Sequence, residues 1–165
     1  MGHLLHDIIL ATGTGIGATA VMDIWLTFLK SRGVKTLDFA FIGRWVGHLA
    51  RGRLRHAAIA KAQPIRNELA LGWLMHYVTG IAFAGLLLGI AGMDWARSPT
   101  LLPALLVGIA TVVIPLFAIQ PAMGAGFAAA RTPTPLKNCI RSLVNHAVFG
   151  LGLYLSAVLL AWLLR

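Results

Sequence analysis

The chain is 165 residues long, 58% hydrophobic in type and only 12% charged, about half the charged share of an ordinary soluble domain, roughly 25%. That composition excludes a water-soluble globule, and its wealth of apolar side chains excludes disorder as well. Fourteen Lys and Arg against five Asp and Glu give a formal charge of +9, and Cys139 is the only cysteine, so neither an intrachain disulfide nor a four-thiolate metal site can be built.

Crossing roughly 30 Å of hydrocarbon takes about 20 consecutive apolar residues in a helix. Four runs meet that length: Ile8–Leu29, Leu69–Ala91, Thr100–Met123 and Leu143–Leu164. None alternates as a barrel strand would, and only helices or closed barrels satisfy their own backbone in lipid. The expected fold is an all-α membrane protein of four transmembrane helices, organised as one domain over residues 1–165.

The first run follows a segment, Met1–Asp7, without Lys or Arg, and is longer than a usual signal core, so it is expected to stay in the mature protein. His3 and His6 ahead of it read as a solvated tail. Within the run, Gly13 and Gly17 form a small-xxx-small row that lets a neighbouring backbone come close. Asp23 is the exception to its apolar character, because an acid at a helix centre costs about 2.5–3.5 kcal/mol on insertion scales. It must face protein or water.

The basic loop that follows, residues 30–67, carries nine of the fourteen Lys and Arg. Arg131, Lys137 and Arg141 in the loop after the third run bring that face to twelve, and only Arg97 and Arg165 lie on the other. By the positive-inside rule the basic loops are cytoplasmic and both termini lie across the membrane. Topology thus accounts for the charge, and nucleic acid is not an expected partner. Arg44, His48, Arg51 and Arg55 recur at one-face helical spacing, with Phe41, Trp45 and Leu49 on the neighbouring stripe. This predicts an amphipathic interfacial helix ending before Pro64 whose basic face meets anionic lipid headgroups. His48 and His56 lie among arginines that oppose a bound cation.

In the second run, Gly72 and Gly80 flank His76, and Glu68 stands at its mouth. Pro115 and Pro121 are expected to kink or end the third. The next connection ends in Thr-Pro-Thr-Pro135, which is expected to be extended because residues before proline avoid helical angles. In the fourth run, Gly150 serves packing beside Asn145 and His146. Cys139, close to Arg141, carries no mark of a nucleophile.

At 1.5 Å per residue, Asp23 lies about 10 Å inside from Lys30, and His76 and His146 lie roughly 8–12 Å from the same side. These three share one layer, which Gln120 and Asn145 can close and Glu68 can guard. The set is a candidate cytoplasm-facing pocket for a proton, since His titrates near neutrality, for a small polar ligand, or for a divalent metal ion on Asp23, His76 and His146. An interhelical hydrogen-bonded knot that binds nothing is the structural alternative. No HExxH, GxSxG or CxxC pattern occurs, and no catalytic residue is assigned.

The blocks Gly13–Asp23, Gly43–His48, Glu68 with Gly72–Tyr77, Gln120–Gly126 and Asn145–Tyr154 together resemble the uncharacterised bacterial membrane proteins grouped as the DUF2938 family. The resemblance implies a multi-pass protein of the bacterial inner membrane and supplies no catalytic residue. A binding or transport-associated role is the first functional expectation. A structural or assembly subunit, meeting another copy or another membrane protein through its glycine faces, is the second. A membrane-embedded enzyme is the third.

Overall fold

The computed structural model describes residues 2–164, with side chains from His6 onward; the His3 side chain and Arg165 lie outside the described residues. All regular structure among them is helical. Four helical stretches are long and apolar enough to cross a membrane: His6–Ser31, Glu68–Ala91, Leu101–Met123 and Pro135–Leu163. The chain groups into two compact units. One gathers the chain up to Lys35, Tyr77–Thr111 and the chain from Asn145, and the other holds Thr36–His76 and Val112–Val144.

In the first unit, α1 (Gly2–Ser31) is helical from the start, so His6, expected in a tail, is an exposed helix residue. It ends where Gly33 turns to φ +76° and the Val34 N–H reaches back to the Leu29 carbonyl at 3.0 Å, the left-handed stop that favours glycine. The later part of α3 (Glu68–Ala91), the short α4 (Met93–Arg97), α5 (Leu101–Ala110) and the later part of α7 (Pro135–Leu163) complete this unit. Leu87 and Leu153 are fully buried at its centre, with Ala18, Ala84, Ala104 and Phe149 around them. Small residues set the spacing. A Cβ on Gly17 would meet the Ser156 side chain, one on Gly80 the Thr19 hydroxyl, and one on Gly13 the Leu160 side chain. Thr14 and Thr19 are buried too, and the Thr19 hydroxyl is satisfied by donating to the Gly15 carbonyl at 2.8 Å.

In the second unit, α2 (Phe39–Leu49) is capped by the Asp38 carboxylate, which accepts from the Ala40 N–H at 2.9 Å. The helical spacing that predicts an interfacial helix ending before Pro64 includes Arg51 and Arg55. The helix stops at Leu49, ahead of both, because Gly52 takes φ +78° and the Arg53 N–H closes on the His48 carbonyl at 3.0 Å. The chain beyond is non-helical up to a single 3₁₀ turn at Ile59–Lys61. α2 rests on the first turn of α3: a Cβ on Gly43 would meet the Glu68 carbonyl, and one on Gly72 the Phe39 carbonyl. Backbone therefore touches backbone there.

The third apolar run is broken where its prolines lie. Pro115 has no N–H and its ring conflicts with the carbonyl four residues back, so the α-helical pattern gives way to a π-helical turn at Pro115–Ile119 before α6 (Gln120–Met123). Gly124 at φ +99° ends α6, and a Cβ there would meet the Ala57 carbonyl. The fourth helix starts at Pro135, eight residues ahead of the expected Leu143, with proline at the first helical position where its missing N–H costs nothing. The Cys139 thiol donates to the Ala128 carbonyl at 3.1 Å, a structural use of that side chain.

Candidate functional site

The six pocket residues expected from sequence fall into both units. Asp23, Asn145 and His146 belong to the first, and Glu68, His76 and Gln120 to the second.

In the first unit the polar side chains engage one another in pairs. α1 carries Asp23 eight residues before its end at Ser31, about 12 Å along the axis. The Tyr77 hydroxyl, from α3, donates to the Asp23 carboxylate at 2.9 Å. Two residues on, the Trp25 indole N–H donates to the Asn145 side-chain carbonyl of α7 at 3.0 Å. His146, next along α7, places Nδ1 3.0 Å from the Thr111 hydroxyl and 3.2 Å from the Gly108 carbonyl. The Thr111 hydroxyl already donates to that same carbonyl at 2.6 Å. Because a carbonyl can only accept, the contact fits a proton on Nδ1. An acid, a phenol and an imidazole are thus held in orientation by neighbours inside an apolar setting.

In the second unit a different set converges on Arg44. Its Nε and Nη2 fork onto the two Glu68 carboxylate oxygens at 2.9 and 2.7 Å, while Nη1 reaches the Ile59, Ala60 and Ala62 carbonyls at 3.2–3.3 Å. Glu68 also accepts the Ile65 N–H at 3.1 Å. This corrects one expectation: Arg44, only 8% exposed, is turned inward to Glu68 rather than toward lipid headgroups. Bonding to Glu68 holds the Arg44 guanidinium above its already high usual pKa. His48, also expected at the lipid face, is buried as well, with Nε2 on the Gln63 carbonyl at 2.9 Å. Arg51 and Arg55 are exposed. The His76 ring packs 4.3 Å from Phe39 and 5.8 Å from Trp73 between centroids.

His56, which the sequence sets among arginines, is buried at 6% exposure against His48, ring centroids 4.9 Å apart. Its backbone N–H donates to the Ala122 carbonyl at 2.8 Å, while both ring nitrogens, like the Gln120 side-chain carbonyl, are buried without a hydrogen-bond partner. Burial first, then the charge of Arg53 and the neighbouring His48, pushes the His56 imidazole below its usual pKa. The unfolded chain takes up a proton near pH 6.5 that the folded chain resists, so stability is full above that value and falls as the pH drops below it. Thermal unfolding of the intact protein in detergent should show this. The gap in midpoint between wild type and His56→Leu should narrow or reverse in favour of leucine from pH 8 to pH 5, and a constant gap would contradict it.

Among the described residues, no three His, Cys, Asp or Glu side chains form a group able to hold a metal ion. The partners that sequence reasoning missed are Tyr77, Trp25, Thr111 and the Arg44 of Glu68. Of these only Tyr77 carried a hint, lying in the same block as His76.

The glycines expected at packing faces lie against neighbours within their own units, as described for Gly13, Gly17, Gly72 and Gly80; at Gly150 a Cβ would stand 2.9 Å from the Leu105 Cα. By contrast, Gly85 and Gly89 on α3 have nothing within 4 Å of the Cβ position.

Residues 12–160 match the family described as "Protein of unknown function (DUF2938)". No curated protein and no solved structure matches the chain.

Proposed function

We propose that this chain, which belongs to the DUF2938 family, is a membrane protein that binds and passes a proton at an intramembrane layer centred on Asp23. The observation that carries the reading is the Tyr77 hydroxyl donating to the Asp23 carboxylate at 2.9 Å within an apolar spanning helix. Ionisable groups at such depth are costly and mark proton or ligand paths by default. Of the ligands a polar layer can take, the proton is the one that a carboxylate and an imidazole accept with no further donor, a phenol being able to relay it by releasing one proton as it takes up another. A small polar ligand would use the same groups, whereas among the described residues no three His, Cys, Asp or Glu side chains group to hold a metal ion. The excess of Lys and Arg after Ser31 favours opening of the layer toward the cytoplasm of a bacterial inner membrane, with both termini across it.

The test is an imposed pH gradient across liposomes containing the purified protein and an entrapped pH-reporting dye, with potassium and valinomycin clamping the potential. Wild type is expected to dissipate the gradient at least tenfold faster than Asp23→Asn, with Tyr77→Phe between them. Wild type running at the rate of empty liposomes would defeat the reading.

A second reading has its own support. Gly85 and Gly89 are four residues apart with open space at both Cβ positions, a face on which another transmembrane helix can pack. An assembly role, with a second copy or another membrane protein on that face, would show as a complex in mild detergent that Gly89→Leu dissociates without unfolding the chain.

A further inference from the structure

We infer that the turn after α2 is a docking surface for the anionic phospholipid headgroups of the bilayer that the chain spans. This goes beyond the proton reading and does not depend on it. The loop's basic face is not the helical stripe of its sequence, since Arg44 and His48 turn inward. What remains outward is Arg51, Arg53 and Arg55, all exposed, on the segment where Gly52 reverses the chain. Between and beside them Leu54 and Leu49 are 51% and 40% exposed. The Trp45 indole N–H donates to the Leu54 carbonyl at 2.9 Å and ties the turn back onto α2.

Two physical facts direct this surface to lipid. First, its height is fixed. α2 packs backbone to backbone on residues 68–72, and Arg44 forks onto Glu68. Those residues are the first turn of a spanning helix, the level at which hydrocarbon gives way to headgroups. Second, its chemistry is mixed in the way that level requires. Guanidinium groups pair with phosphate oxygens, in one or two parallel hydrogen bonds, while leucines between them enter the acyl boundary. A soluble acidic partner would satisfy the arginines and leave the leucines in water.

The experiment uses the full chain in an uncharged detergent, titrated with phosphatidylglycerol or phosphatidylcholine and read by native mass spectrometry. Wild type should take up phosphatidylglycerol in strong preference. The triple variant Arg51→Gln, Arg53→Gln, Arg55→Gln should lose roughly 100-fold in apparent affinity, at about fivefold per arginine. Removing the same charge elsewhere, with Arg97→Gln, Arg131→Gln and Lys137→Gln, should cost much less. The matching Arg-to-Lys triple should keep most of the binding, and it decides the matter together with the salt dependence of wild type if the glutamine triple fails to fold. Equal losses in both glutamine triples, no preference over phosphatidylcholine, or displacement by equimolar inorganic phosphate would each overturn the inference.

Discussion

Arg44→Ala is expected to release the segment between α2 and α3, at a cost of about 3 kcal/mol in the stability of the second unit. Removing one partner of a buried ion pair costs 3–5 kcal/mol because the other charge is left without compensation. The lower end applies because the Glu68 side chain keeps 18% of its exposure and water can reach it. The loss is not confined to the pair. Three carbonyls, those of Ile59, Ala60 and Ala62, also look to the same guanidinium. Hydrogen exchange should find amides 53–66 faster in the variant, with helices of the first unit unchanged. Arg44→Lys should recover less than half of the protection, since a single ammonium cannot fork onto two carboxylate oxygens and still cap a row of carbonyls. The double variant Arg44→Ala, Glu68→Ala should lose less than the two single losses added together. Simple additivity would mean the pair does not organise the segment.

The same arginine shows where sequence reading reaches its limit. Spans are legible because lipid sets a length that only uninterrupted apolar runs satisfy: the second apolar run, Leu69–Ala91, is the helix Glu68–Ala91. Pro115 was legible as a break because a missing N–H acts locally. The fourth helix is longer than its apolar run because Lys137, Asn138 and Arg141 continue it past hydrocarbon into the polar layer. In the basic loop the spacing of Arg44, His48, Arg51 and Arg55 runs straight through Gly52, and periodicity cannot see that this glycine takes a positive φ. Nor can it tell an arginine facing phosphate from one facing Glu68, twenty-four positions away. The cost of placing Asp23 in lipid was evident from its neighbours, but its hydroxyl donor, Tyr77, lies fifty-four positions along the chain. Charges could be counted from the sequence, whereas their partners depend on how helices pack.

That dependence makes the contact of α5 with α7 the second place for a large effect. Gly108→Ala is expected to destabilise the first unit by about 2–3 kcal/mol, the upper range for overpacking, and to loosen the His146 tie to Thr111. A Cβ on Gly108 would stand 2.7 Å from the Gly150 nitrogen and 2.8 Å from the His146 carbonyl; one on Gly150 would stand 3.0 Å from the Ala104 carbonyl. These are backbone atoms that no rotamer change can move aside, so the helices themselves must part. In lipid, where burial of apolar surface gives little drive for helices to meet, close packing of this kind is what holds them together. The parting would act directly on the polar layer, because the Gly108 carbonyl accepts from Thr111 and lies within reach of His146 Nδ1. Gly85→Ala is the matched control, with open space around it and alanine the better helix former by about 1 kcal/mol; its unfolding midpoint should hold or rise. Nitrogen-15 spectra of the histidine rings should show the His146 signal moving in Gly108→Ala and staying in place in Gly85→Ala. If both variants unfold together with wild type, α5 and α7 do not meet at these glycines, and the orientation derived for His146 fails with them.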